Sequence, residues 1–186
     1  MTAALDLDPD KLVQLRIESA RTNFAAFVTA THRPRFKHSD FSRRTCAAID
    51  KFVTDLVAGK RPVLVLTAPP QHGKSSLISR CLPPYLIGRL GKELGTARIA
   101  LASYALSRAK ANGRDAKNIM LEPVYRAIFP DASLIGFKGD INTSDRYSVP
   151  KGEVLATGVG GGMTGFSIDV MLIDDAIKDA VEALSP

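Results

Sequence analysis

The sequence has few aromatic residues, only two cysteines and no long apolar run. Aromatic residues make up 6% of the 186 residues although 45% are apolar, so we expect a domain with a mainly aliphatic, alanine-rich core. Cys46 and Cys81 have neither metal-ligand spacing nor a disulfide framework around them. We therefore expect both to be reduced residues that pack in the interior. No apolar stretch approaches the roughly 20 residues that span a bilayer. The acidic N-terminus lacks the basic start of a secretory signal, so we expect a soluble cytoplasmic protein.

The charge of the chain is unbalanced towards the basic side. The sequence has 25 lysines and arginines against 19 aspartates and glutamates, which gives a formal net charge of +6. Such an excess raises the expectation of a polyanionic partner and carries no information about sequence specificity. A basic but merely solvated surface explains the same charge equally well.

Helical and strand-like patterns alternate along the chain. Strands are predicted at residues 63–66, 97–103 and 170–173, with a hairpin at 146–149 and 153–157. Helices are predicted from Pro9 to about Thr31, from Ser39 or Asp40 to Gly59, from about Lys74 with a break or kink at Pro83-Pro84, from about 106 to 121 and from 122 to 129. Nearly continuous apolar strands between helices predict an α/β fold with a mostly parallel central sheet flanked by helices. Residues 1–38 are predicted to form an N-terminal helix and basic connector, and residues 39–186 the main domain.

A phosphate-binding loop is the first chemical signal. Gly73-Lys74-Ser75 follows an apolar run and opens a helix. Backbone amides at such a helix start, together with the helix dipole, favour an anion. Lys74 is expected to reach the phosphates of a nucleotide and the Ser75 hydroxyl to bind magnesium. An ordinary strand-loop-helix junction remains the alternative, since Ala68 stands where the first glycine of the usual pattern would be.

A pair of carboxylates is the second signal. The apolar residues 170–173 are followed by Asp174 and Asp175. Ligands of parallel sheets gather at the carboxyl ends of the strands. We therefore expect Asp174 to hold magnesium and Asp175 to orient and deprotonate an attacking water. Two aspartates at a strand end are by themselves also common as a helix cap.

Six sequence blocks together resemble the ATPase domain of the large terminase subunit of tailed bacteriophages, from about Phe24 to the end of the chain. They are Pro69-Pro-Gln-His-Gly-Lys-Ser-Ser, Ile99-Ala-Leu-Ala-Ser-Tyr, Tyr125-Arg-Ala-Ile-Phe-Pro, Gly158-Val-Gly-Gly-Gly-Met-Thr-Gly, Leu172-Ile-Asp-Asp-Ala-Ile-Lys-Asp and Glu182-Ala-Leu-Ser-Pro. The resemblance implies an additional-strand P-loop NTPase that hydrolyses ATP with Mg²⁺ and pumps double-stranded DNA into a procapsid. It also implies a homo-oligomeric ring, portal and small-terminase partners, no membrane, and action in the cytoplasm of an infected bacterial host.

The resemblance assigns roles to individual residues. The phosphate loop would comprise Pro70, Gln71, His72, Gly73, Lys74, Ser75 and Ser76. Metal ligands would be Ser75 and Asp174, and catalytic residues Lys74 and Asp175. The helix that starts near Ser39 would lie beside the adenine.

The sequence departs from the family pattern in several places. Ala176 replaces a common proline, and Gln71 and Phe166 stand where many members have arginine. A transition-state arginine is therefore expected from elsewhere, with Arg108, Arg114 and Arg146 as unranked candidates or with a neighbouring subunit as the source. Compared with the family, the ATPase domain is expected to be incomplete after the aspartate pair and to have no nuclease domain. Two other functions stay open, namely another P-loop phosphotransferase and a non-catalytic nucleotide-binding or capsid-interaction module.

Overall fold

Three helices precede the first strand-like segment. The computed structural model describes residues 8–32, 34–68, 72–163 and 165–176, and in it α1 covers Pro9–Thr22, α2 covers Phe24–Thr31 and α3 covers Asp40–Val57. The prediction of a single helix from Pro9 to Thr31 is wrong, because Asn23 is extended and its side chain caps α2 by accepting the Ala26 N–H at 2.8 Å. Ser39 is the N-cap of α3 and accepts the Ser42 N–H.

The helix that begins at Lys74 is continuous but changes its winding. Residues Ser76–Cys81 are π-helical, and α4 covers Leu82–Glu93. Pro83 and Pro84 lie in the first turn of α4 and have no N–H to donate to a carbonyl one turn earlier. A wider π turn precedes them, in which the Leu82 N–H donates to the carbonyl of Leu77. The predicted break is thus a local widening of the helix.

A four-stranded mixed sheet forms the centre of the fold. Its strands are β1 at Ala97–Ser103, β2 at Arg146–Val149, β3 at Gly152–Gly158 and β4 at Val170–Ile173, in the spatial order β2-β3-β1-β4. β1 is parallel to both β3 and β4, whereas β2 pairs antiparallel with β3 as the predicted hairpin. Helix α5 at Leu106–Met120 packs on β1 and β3, and α6 covers Pro123–Ile128. The prediction of an α/β fold with a mostly parallel sheet is confirmed.

The predicted strand at residues 63–66 is wrong. Residues 61–68 have no regular secondary structure, and the side chains alternate between exposed and half-buried. Val63 and Val65 are 89% and 80% exposed, which is unusual for β-branched apolar residues. β-propensity records how well a side chain fits a pleated surface beside a neighbour, and among the described residues this segment has no such neighbour.

The core joins the N-terminal helices to the sheet. One cluster of buried apolar residues includes side chains from α2, α3, α4, α6 and β1. The few aromatic residues are concentrated in it, since the rings of Phe24, Phe27, Tyr85, Tyr125 and Phe129 contact one another. Cys46 and Cys81 are free and buried, and burial raises the pKa of both thiols to about 12. No helix of the described residues is both long and apolar enough to cross a membrane.

The register of β1 against β3 depends on one glycine. Gly152 lies opposite Ala97, where an added Cβ would stand 1.9 Å from the Ala97 carbonyl oxygen. We expect Gly152→Ala to lower the free energy of unfolding by at least about 1–3 kcal/mol, as overpacking does elsewhere, measured by urea denaturation. Gly162→Ala is the control, because its Cβ would meet no described atom within 4 Å. Equal stability of the two variants would contradict the strand register.

Candidate functional site

Three parallel strands end at one edge of the sheet, and the candidate site lies there. The carboxyl ends of β1, β3 and β4 are Ser103, Gly158 and Ile173. Asp174 and Asp175 follow β4 directly, and the backbone stays tied to β1 because the Asp174 N–H donates to the Ala102 carbonyl at 3.0 Å. This is the edge at which ligands of parallel sheets gather.

Lys74 reaches this edge from the helix start. Gly73 has a φ of 79°, in the left-handed region that favours glycine, and its carbonyl accepts the Leu77 N–H. The Lys74 Nζ lies 3.2 Å from Asp174 Oδ1 and 3.4 Å from Asp175 Oδ1. The two sequence signals, which are far apart along the chain, therefore meet in one cluster.

Asp174 is a buried carboxylate that stays ionised. Its residue is only 5% exposed. Burial raises the pKa of this carboxyl, but hydrogen bonds from Ser79, Ser75 and Lys74 and the charge of Lys74 outweigh burial, so that the pKa lies below its ordinary value. The Ser79 Oγ donates to Asp174 Oδ2 at 2.6 Å. Asp174 thus remains negative at neutral pH while it is shielded from water.

The ammonium of Lys74 is held by the same interactions. Burial lowers the pKa of Lys74, whereas the hydrogen bond to Asp174 and the charges of both aspartates raise it, and the net shift is upward. The side chain therefore carries a full positive charge at neutral pH. A cation with two carboxylates at 3.2 and 3.4 Å is also able to exchange one of them for another anion.

Asp175 has an unusual backbone conformation. Its φ is 51°, and it is the only described residue other than glycine with a positive φ. Aspartate tolerates this left-handed region better than most residues. The Asp175 carbonyl accepts the Tyr104 N–H at 2.9 Å, which fixes the turn after β4. The side chain is about half exposed, and its Oδ2 lies 3.4 Å from Arg108 Nη2.

The three candidate arginines occupy different places. Arg108, in the first turn of α5, contacts Asp175 and is therefore at the site. The guanidinium of Arg146 donates two hydrogen bonds to the two carboxylate oxygens of Glu153. It also lies over the Phe166 ring. Arg114 lies on the middle of α5 beside a separate groove. Of the three, only Arg108 reaches the aspartates in the described contacts.

Two neighbours of the cluster were not predicted from the sequence. Ser79 follows Ser75 by four residues, and this helical spacing places both hydroxyls on Asp174. Phe36 lies beside the loop, since a Cβ on Gly73 would stand 3.4 Å from its ring. The four-residue spacing of Ser75 and Ser79 could have indicated in the sequence that both hydroxyls lie on one side of the helix. Nothing in the sequence links Phe36 to Gly73.

The remaining predicted residues lie around the loop. His72 is exposed, and its ring centroid is 6.3 Å from that of Phe41, near the start of α3. Ser76 is half-buried at the start of the π-helical segment. Pro70 and Gln71 lie outside the described residues. The roles of all these residues in binding a nucleotide stay predictions.

The oxygen donors at this edge suit a hard cation. The Ser75 hydroxyl and the Asp174 carboxylate are adjacent, and both are ligand types that Mg²⁺ prefers, with water and phosphate oxygens filling its other positions. No group of three or more histidine, cysteine or acidic side chains able to hold a metal occurs among the described residues.

Comparison of the chain with protein-family models, with curated proteins and with solved structures finds no match.

The lowered pKa of Asp174 predicts an acid-dependent contribution to stability. Because the native pKa lies below that of the unfolded chain, about 3.9 for aspartate, the stabilisation is complete above that value and is lost as pH falls through the native pKa. At pH 6.5 we expect Asp174→Asn to lower the free energy of unfolding by about 1–3 kcal/mol, and the difference from wild type to shrink towards pH 3.

Urea denaturation at a series of pH values measures this difference. Asp140→Asn is the control, since Asp140 is exposed and makes no ion pair with a described residue. A difference between wild type and Asp174→Asn that stays constant from pH 6.5 to pH 3 would contradict the assignment of Asp174 as an ionised, hydrogen-bonded group.

Proposed function

We propose that this chain is a magnesium-dependent ATPase of the P-loop class and the motor domain of a phage terminase large subunit. In this role ATP hydrolysis drives double-stranded DNA into a procapsid. The fold would be of the additional-strand type. Support comes from the α/β architecture, from the meeting of the two motifs at one sheet edge and from the six sequence blocks between residues 69 and 186.

One observation carries the proposal. The ammonium of Lys74 lies against both Asp174 and Asp175 although the two segments are separated by about half of the chain. An ordinary helix cap explains neither the lysine nor the two serine hydroxyls on Asp174. A cation at a helix start beside two carboxylates at a strand end is the arrangement that phosphoryl transfer needs, because it allows binding of both phosphate and metal.

In this proposal each residue of the site has a separate role in ATP hydrolysis. Lys74 would exchange its carboxylate partners for phosphate oxygens, and the helix start after Gly73 would favour the same anion through its backbone amides. Ser75 and Asp174 would hold Mg²⁺, and a bound Mg²⁺ would supply charge neutralisation at the phosphate oxygens. Asp175, half exposed and fixed by its backbone, orients a water and accepts its proton. Arg108 positions the Asp175 carboxylate.

The biological setting follows from the resemblance. We infer that the motor works as a homo-oligomeric ring with a portal and a small terminase subunit, in the cytoplasm of an infected bacterium. The net charge of +6 supports a polyanionic partner such as DNA. An arginine supplied by a neighbouring subunit would accelerate hydrolysis by about 10³–10⁵ where such residues act, so basal turnover of the single chain is expected to be slow.

Removal of the loop cation is the first test. We expect Lys74→Ala to abolish ATP hydrolysis and to weaken nucleotide binding, because it removes the cation that faces the phosphates. Phosphate release and binding of a fluorescent ATP analogue measure the two effects. Lys138→Ala is the matched control, since Lys138 is exposed and outside the site. Turnover by Lys74→Ala at the control rate would exclude this phosphate site.

Substitutions of the two aspartates are expected to cause different defects. Asp174→Asn should weaken the magnesium-dependent part of nucleotide binding, whereas Asp175→Asn should bind nucleotide normally and lose hydrolysis. Asparagine tolerates the left-handed backbone at position 175 about as well as aspartate, so this substitution tests the carboxylate rather than the turn. Titrations of ATP with and without Mg²⁺ separate the variants, and the reverse pattern would exchange the two roles.

The class of activity is tested with the wild-type chain. ATP turnover is measured without DNA, with double-stranded DNA, and with small hydroxylated phosphate acceptors. Release of inorganic phosphate that increases with DNA is the result expected for a motor. Transfer of phosphate to a small acceptor would identify a phosphotransferase instead, and nucleotide binding without turnover in any mixture would identify a non-catalytic module.

A further inference from the structure

A second basic feature lies away from the candidate site. Helix α5 and the loop before β2 enclose an open groove of about 390 Å³. Lys110, Arg114 and Lys117 line it from the helix, at spacings of four and three residues that place them on one face. Hydroxyl groups line it as well, from Ser107, Thr143 and Ser144.

The cations of this groove are not neutralised by the protein. None of Lys110, Arg114 and Lys117 makes an ion pair with a carboxylate in the described part of the chain. Asp115, which neighbours Arg114 in sequence, pairs with Arg80 at 3.2 Å instead. The facing loop has two acidic residues, namely Asp140, which is exposed, and Asp145, whose carboxylate lies 3.5 Å from the Ser144 hydroxyl.

Lys117 is positioned without losing its charge. Its Nζ donates to the amide oxygen of Asn142 at 2.5 Å and lies 5.2 Å from the centre of the Tyr147 ring. Both partners are neutral, so they fix the ammonium and leave its charge available to an anion. The groove is thus cationic, hydroxyl-lined and partly preorganised.

We propose that this groove binds the phosphodiester backbone of double-stranded DNA. Lys110 and Lys117 are roughly 10 Å apart along the helix axis at 1.5 Å per residue. One DNA strand places a phosphate about every 3.4 Å along the duplex axis, so a helix aligned with that axis spans about three phosphate intervals over this length. Contacts of this kind position DNA without reading its sequence. The inference rests on the proposed motor function and names where that motor holds its DNA.

The groove and the candidate site share one rigid element. Arg108, at the start of α5, contacts Asp175, while Lys110 to Lys117 on the same helix line the groove. A helix bound to DNA at its middle is therefore fixed relative to the carboxylates at its start. DNA binding and nucleotide binding are nevertheless separate contacts, which allows each to be measured alone.

The test compares two triple variants with equal loss of charge. The groove variant is Lys110→Gln with Arg114→Gln and Lys117→Gln, and the control is Lys11→Gln with Arg16→Gln and Lys138→Gln, three exposed cations outside the groove. Each removes three charges from the net +6 and leaves +3. Binding to a labelled duplex is measured by fluorescence anisotropy at several salt concentrations, after thermal unfolding shows that both variants are folded.

We expect the groove variant to bind at least about tenfold more weakly than the control, with the logarithmic salt slope reduced by roughly 0.9 for each phosphate that is no longer neutralised. Two unrelated duplexes should behave alike. Equal affinities of groove and control variants, no DNA binding by the wild-type chain, or displacement of DNA by polyglutamate at equal charge concentration would each overturn the proposal.

Nucleotide binding, measured on the same samples, separates this inference from the proposed function. If the wild-type chain binds DNA through the groove but does not bind ATP with Mg²⁺, the proposed ATPase function is wrong and the DNA-binding groove is retained. A chain that binds ATP with Mg²⁺ while groove and control variants hold DNA equally would overturn the groove alone.

Discussion

The ion pairs of Lys74 with Asp174 and Asp175 join the two halves of the candidate site, and every assigned role depends on them. They connect the helix start after Gly73 to the end of the edge strand β4. Since the described residues 61–68 do not pair with the sheet, the loop is held at the strand ends by these side-chain contacts together with the packing of the following helix on α5 and β1. A change in this cluster therefore alters the chemistry and the local geometry together.

Much of the fold was predictable because local signals agreed with burial. β1 and β4 begin and end at the residues predicted for them. The hairpin was visible from the turn residues between β2 and β3, and Asp8 and Ser39 cap their helices as their side-chain chemistry predicts. Asn23 was missed because it follows two other polar residues, Arg21 and Thr22, and the apolar helical pattern resumes directly at Phe24.

That residues 63–66 form no strand, and the detail of the site, could not be predicted for a different reason. Both depend on contacts between segments far apart in sequence, which periodicity does not encode. The left-handed backbone of Asp175 and the salt bridge to Arg108 arise from the turn after β4 and from the position of α5. The sequence predicted that Lys74 and Asp174 belong to one site, and the spacing of Ser79 from Ser75 gained its meaning only once Asp174 was placed beside both hydroxyls.

The central claim is that the segment after Gly73 and the residues after β4 form one site for a magnesium nucleotide. Hydrogen–deuterium exchange of the wild-type chain, with and without ADP and Mg²⁺, tests it most directly. The account predicts slower amide exchange in peptides that cover residues 72–81 and 174–176, and only when both ADP and Mg²⁺ are present. Unchanged exchange in these peptides, or protection confined to another face of the protein, would contradict it.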